Sequence, residues 1–192
     1  MNFEKKKIWI THGYISVIKN GFQGLKVDEL CASTGVAKTS FYHYHNSRED
    51  FIANLIEWWS SDRWIEVSSS LQAVNSAKTV ESFIKHKQKF IDFYCFRIRV
   101  MRQFSNQDKS YKIVRKIDQE LQTLIFHFLE VINDSKDIQD IEASFVYTYL
   151  NGWDYLNAFD LFLKKPTMKG SLEELSDFLK SLKVNQSLKQ VS

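Results

Sequence analysis

The chain reads as all-α, and three observations carry that reading. It has one Pro and six Gly in 192 residues, far below the usual share. Between Val36 and Asn151 there is neither, whereas strand-rich folds need frequent turn residues. Apolar residues recur at three- and four-residue spacing along most of the length, the period of one helix face.

The elements follow in order. A first helix is expected from about Phe3 to Asn20, with Trp9, Ile10, Gly13 and Val17 on its inner side and Gly21 ending it. Gly13 inside a helix costs about 1 kcal/mol against Ala, which a close helix–helix approach would explain. Val27, Leu30 and Cys31 mark a short second helix, and Gly35 just past its end supplies the left-handed turn other residues resist. A third helix spans about Lys38 to Tyr44, anchored by Val36 and Phe41. Ser47 followed by Arg48, Glu49 and Asp50 is a cap and an acidic first turn. It opens a fourth helix to about Leu71, with Phe51, Leu55, Trp58, Trp59 and Ile65 as its apolar side.

A fifth helix is expected over Thr79–Cys95, with Phe83, Phe90 and Tyr94 inward, and a short sixth over Arg97–Phe104. Ser105–Asp108 reads as loop and cap. A long seventh helix follows, with Val114, Ile117, Leu121, Leu124, Ile125, Phe128 and Ile132 at helical spacing. After a loop at Asn133–Asp137, the eighth runs from Ile138 to about Leu163, and Pro166 and Gly170 close it. Ser171-Leu172-Glu173-Glu174 is a capping box for a ninth, with Leu175, Phe178, Leu179 and Leu182 apolar. From Asn185 on there is no pattern.

Composition bounds the function. A hydrophobic share of 44% with 15% aromatics can fill a sizeable core. The net charge of +3 permits nucleic-acid binding without demanding it. Cys31 and Cys95 are too few for a disulfide framework. Lys5, Lys6 and Lys7 precede an interrupted amphipathic stretch, which is no signal peptide, and no apolar run reaches membrane-spanning length. The expected setting is cytoplasmic. No nucleophile elbow, phosphate loop or metal box occurs, so no catalytic residue, cofactor or metal is expected. His43, His45 and Cys31 do not fit a zinc spacing.

Residues 21–51 are the most informative. Helix, Gly-containing turn, helix is the helix-turn-helix arrangement, whose second helix enters a DNA major groove. The run G-V-A-K-T-S-F-Y-H-Y-H-N-S-R-E-D-F from Gly35 to Phe51 resembles the DNA-binding segment of TetR-family transcriptional repressors, typically G-V-S-x-x-[ST]-[LIF]-Y-x-[HY]-F-x-[SN]-[KR]-x-x-L. Gly35, Val36, Ser40, Phe41, Tyr42, Tyr44, Ser47, Arg48 and Phe51 match. Gly21-Phe22-x-Gly24-Leu25 resembles the family's linker after its first helix. Three positions depart. Ala37 replaces a Ser/Thr cap, Lys26 replaces another, and His45 puts a titratable ring where the family has an apolar residue.

The resemblance implies a helix-turn-helix domain over 1–46 and a helical effector-binding and dimerisation domain over 47–192. Lys38, Thr39 and His43 are the expected base readers. Ser40, Tyr42, Tyr44, Arg48 and Lys26 are the expected phosphate contacts. The larger domain implies a cavity for a small, mainly apolar effector, with Trp58, Trp59, Phe90, Tyr94, Phe104, Phe128, Tyr149 and Trp153 as lining. It also implies a homodimer through the eighth and ninth helices, where Gly152 allows close approach, reading an inverted repeat in double-stranded DNA. The basic run from Arg97 to Lys116 reads as a solvated face, an anionic-effector site or a patch that steers DNA. An effector-independent DNA-binding protein, whose larger domain only dimerises, is the alternative.

Overall fold

A computed structural model of the protein describes residues 2–133, 148–152 and 177. Among them all regular structure is helical. The order is α1 (Asn2–Asn20), α2 (Val27–Thr34), α3 (Lys38–Tyr44), α4 (Arg48–Trp58), a π turn (Trp59–Arg63), α5 (Trp64–Ala77), α6 (Val80–Lys89), α7 (Ile91–Gln103) and α8 (Lys109–Asn133). Residues 148–152 are helical too. The rest of the expected eighth and ninth helices lies outside the described residues, as does Trp153.

The chain divides into two compact units, Met1–Trp64 with Asp92–Lys116, and Ile65–Ile91 with the described residues from Ile117 on. In the first unit Trp9, Phe41 and Phe51 are fully buried. Phe41 meets Trp9 edge-on at 5.4 Å and Phe51 at 5.2 Å, so α3 hangs on one ring held by α1 and α4. Gly13 is the reason α1 and α4 come so close: a Cβ there would stand 2.7 Å from Phe51 Cε1. Further along, Trp59 stacks on Phe93 at 4.6 Å and Tyr14 meets Trp58 at 5.3 Å. Arg63 donates from Nη2 to both Asp92 carboxylate oxygens, at 2.9 and 2.8 Å. Tyr14 lies beside this pair, and burial first, then Asp92, raises its hydroxyl pKa well above the usual phenol value. In the second unit Phe83 stacks on Phe128 at 4.7 Å, Asn75 Nδ2 donates to the Leu124 carbonyl, and His86 pairs with Ser70.

Helix ends follow local chemistry. Gly21 (φ 71°) closes α1, and Arg99 Nη2 donates to the Ile18 carbonyl at 3.2 Å, a cation where the helix dipole favours one. Ser47 Oγ accepts the Asp50 N–H at 3.0 Å while Asp50 accepts the Asn46 N–H, a reciprocal cap. Thr79 Oγ1 caps α6 by accepting the Ser82 N–H, and the Ser82 hydroxyl donates to the Thr79 carbonyl.

Two expectations need correction. The fourth helix does not stop near Leu71; helical backbone continues through the π turn to Ala77. Ile65 is 63% exposed, whereas Trp64 is buried. The buried positions step from Trp59 to Trp64, five residues, and a π turn absorbs a five-residue step where an α turn cannot. Ser60 and Ser61 donate their hydroxyls to the Glu57 carbonyl. The fifth and sixth helices are also divided differently. α6 ends at Lys89, Phe90 leaves helical geometry (ψ 23°), and α7 runs unbroken from Ile91 to Gln103. No Gly or Pro marks this break; it falls where the chain passes between the units.

Candidate nucleic-acid interface

The interface is built from α2, its turn and α3. The turn needs Gly35, which takes φ 68° and donates its N–H to the Cys31 carbonyl at 3.0 Å. Thr34 helps hold it. Its hydroxyl donates to the Leu30 carbonyl at 2.8 Å and accepts the Val36 N–H. His12 reaches Ser33 at 3.1 Å and ties α1 to the end of α2.

On α3 the burial pattern separates support from contact. Phe41 is fully buried. Lys38, Thr39, Tyr42 and His43 are exposed, and Ser40 and Tyr44 are half-buried. Lys38, Thr39, Tyr42 and His43 thus form the exposed part of α3, with Thr39 and His43 most nearly opposite the anchor. Neither Ala37 nor Lys26 makes a side-chain cap, so both helices begin without one. Lys26 instead pairs with Glu29 at 2.9 Å.

Lys38 is not solitary. Its ammonium lies 2.7 Å from Asp28 Oδ1 on α2, and that hydrogen bond raises its pKa. Sequence spacing offered no sign of this, since the two residues stand ten apart across a turn.

Arg48 serves the protein before any phosphate. Its Nε donates to the Leu25 carbonyl at 2.8 Å and its Nη2 to the Phe22 carbonyl, while Nη1 meets Glu49 at 3.4 Å. The guanidinium thus fixes the α1–α2 linker against the start of α4, and a DNA phosphate would have to share it.

His45 takes the place of an apolar core residue. It is almost fully buried, 4.7 Å from the Phe51 ring and 5.2 Å from Phe41. Its Nδ1 faces Asn54 Nδ2 at 3.4 Å. Burial, with help from Lys6 and against Asp50, lowers its pKa, so the ring is neutral in the fold.

Of the eight residues expected to line an effector cavity, seven are among the described residues. Trp58, Trp59, Tyr94 and Phe104 belong to the first unit; Phe90, Phe128 and Tyr149 belong to the second. Trp59, Phe90, Tyr94 and Phe128 are fully buried, while Trp58, Phe104 and Tyr149 keep partial exposure. Of the basic run, Arg97 is buried, Arg99 caps α1 and Arg102 is exposed. Among the described residues, no group of three or more His, Cys, Asp or Glu could hold a metal ion. No described helix is long and apolar enough to cross a membrane.

Neither a family model nor a curated protein sequence matches the chain. Solved structures do. A transcriptional regulator described as a TetR/AcrR family member superposes with a TM-score of 0.67 at 19% identity, over 93% of this chain and 97% of that one. NemR of E. coli in its reduced form gives 0.65 at 17%, again over 93% and 97%. This is the TetR fold. EbrR, a multidrug binding protein complexed with malachite green, shares it at a TM-score of 0.59 and 14% identity, over 93% of this chain and 98% of its own. In the TetR fold of this chain, the resembling motif of Gly35–Phe51 occupies the turn and the second helix of a helix-turn-helix.

Proposed function

We propose that the chain is a dimeric, DNA-binding transcriptional regulator, a repressor released from an inverted-repeat operator by a small, mainly apolar ligand. One observation carries the DNA-binding part. Lys38, Thr39, Tyr42 and His43 are exposed together on a short helix that Phe41 pins to Trp9 and Phe51. A polar, cationic helix face on a rigid mount is what major-groove readout requires. In this reading residues 1–46 bind DNA and residues 47–192 bind the effector and dimerise. Lys38, Thr39 and His43 read bases, and Ser40, Tyr42, Tyr44, Lys26 and Arg48 hold phosphates.

The ligand part draws support from the aromatic content of both units and from EbrR, a protein of this fold complexed with malachite green. The close stacks Trp59–Phe93 and Phe83–Phe128 favour the second reading, in which these rings are packing and the regulator needs no effector.

Selection from random duplexes with purified protein tests the DNA reading: enrichment of a palindrome supports it, and none over random sequence rejects it. Thermal shift against apolar and cationic small molecules separates the two readings. In the released-repressor reading a ligand that raises Tm also weakens DNA binding, and DNA weakens the ligand's binding by the same factor.

A further inference from the structure

The helix-turn-helix segment carries its own counter-charges. Between Gly21 and Phe51 the cations are Lys26, Lys38 and Arg48, and the acids are Asp28, Glu29, Glu49 and Asp50. With its histidines neutral the segment is net negative. Each cation lies against one of the acids. Lys38 Nζ is 2.7 Å from Asp28 Oδ1, Lys26 Nζ is 2.9 Å from Glu29 Oε1, and Arg48 Nη1 is 3.4 Å from Glu49 Oε1. Asp50 accepts the Asn46 N–H. Sequence-blind DNA affinity comes from lysines and arginines that neutralise phosphates. Here every such cation must first be shared with a carboxylate of its own segment.

One of the three pairs differs from the others. Lys26–Glu29 joins neighbouring positions at the start of α2, and Arg48–Glu49 joins adjacent residues. Asp28–Lys38 instead bridges the first turn of α2 to the first residue of α3, and its cation is an expected base reader. A lone lysine on an exposed helix is a point charge on a flexible stem. It would swing to whichever phosphate lies nearest. Held by Asp28, the Lys38 ammonium keeps its place at the turn and retains two further N–H donors. Those suit guanine O6 and N7, which only the matching base pair presents. The carboxylate also repels phosphates, so a duplex that offers nothing but backbone gains less than one that offers the base.

We propose that Asp28 is a specificity-determining residue that acts through Lys38, positioning the ammonium for a base edge and withholding it from phosphates. The inference rests on the DNA-binding reading above and concerns discrimination between sequences, where penalties against the wrong partner count as much as contacts to the right one.

The test measures Kd for wild type, Asp28→Asn, Lys38→Ala and the double variant. Each is titrated with the selected duplex and with a random-sequence duplex of equal length. Asp28→Asn should tighten both, the random duplex more, so that the ratio of the two affinities falls by roughly two- to fivefold, the span of an exposed ion pair. In the Lys38→Ala background the same change should leave the ratio where it was. Glu29→Gln should tighten both duplexes equally. The Asp28 side chain is 79% exposed, so the melting curve of Asp28→Asn should match that of wild type; Asp28→Ala takes its place if it does not. A ratio unmoved by Asp28→Asn would overturn the proposal and leave the DNA-binding reading intact. A fall of equal size without Lys38 would also overturn it, since Asp28 would then act on DNA directly. So would an equal fall from Glu29→Gln, which would trace the effect to net charge. Wild type that selects no sequence overturns both readings.

Discussion

Gly13 and Phe51 meet backbone to ring: the position a Cβ would take on Gly13 is 2.7 Å from Phe51 Cε1 and nearer still to Cζ. The ring cannot swing away, because Phe41 and His45 pack on it at 5.2 and 4.7 Å. Gly13→Ala gains about 1 kcal/mol of helix propensity and loses about 1–3 kcal/mol to overpacking. Overpacking should win, and the variant should melt below wild type. A rise in Tm would show that the ring has room.

Arg48→Ala should destabilise the fold as well as weaken DNA binding. The variant loses two charge-assisted hydrogen bonds to the linker carbonyls of Phe22 and Leu25, worth together about 1–3 kcal/mol. Arg48→Lys should rescue little, since a single ammonium does not reproduce the forked geometry. Urea melts of the three proteins without DNA decide it; identical midpoints would make Arg48 a DNA contact only.

Lys38→Ala or Thr39→Ala should alter preference at particular bases, by roughly tenfold or more. Tyr42→Phe should weaken all sequences alike, because phosphates carry no base identity. Asp28→Asn should tighten binding to every duplex severalfold, as DNA no longer competes for the Lys38 ammonium. Repeated selection with each variant checks this. A new consensus from Tyr42→Phe would show the roles to be misassigned.

Stability should fall as the solution is acidified below about pH 6.5, the ordinary histidine value. Burial, then Lys87 and Lys89, push the His86 pKa down to about 3, and burial lowers that of His45. Both are depressed in the fold, so the unfolded chain takes up the protons first. The contribution is complete above the unfolded pKa and declines as pH drops toward the folded ones. Denaturant midpoints at pH 7.5 and 5.5 should differ, and His45→Leu or His86→Leu should each reduce the difference. Equal midpoints for wild type would contradict the assignment.

Gly152 is exposed, and among the described residues a Cβ there meets nothing within 4 Å. Gly152→Phe should therefore leave the helical circular-dichroism signal unchanged. If the dimer forms through the eighth and ninth helices, the same variant should sediment as a monomer and lose DNA affinity. An unchanged dimer at low concentration places the interface elsewhere.

What was legible in the sequence was local. Gly35, Gly21 and Ser47 announce helix ends through conformational freedom and capping chemistry, and the structure uses each of them so. Trp9, Val17, Phe41, Leu121 and Phe128 announce burial through spacing. What was not legible depends on tertiary partners. The break at Phe90 carries no breaker residue. The clamp of Arg48 on the linker joins positions more than twenty apart. Asp28 against Lys38 exists only once the turn has folded.

The π turn bears on the chain's length as much as on its shape. Buried positions before it fall at 51, 52, 55, 56 and 59, and after it at 64, 67, 71 and 74. Remove one residue between Trp59 and Trp64, and the two series join at ordinary three- and four-residue intervals. A plain α-helix one residue shorter would then satisfy the same inward contacts. The π turn is thus what keeps the buried series on one face across its five-residue step.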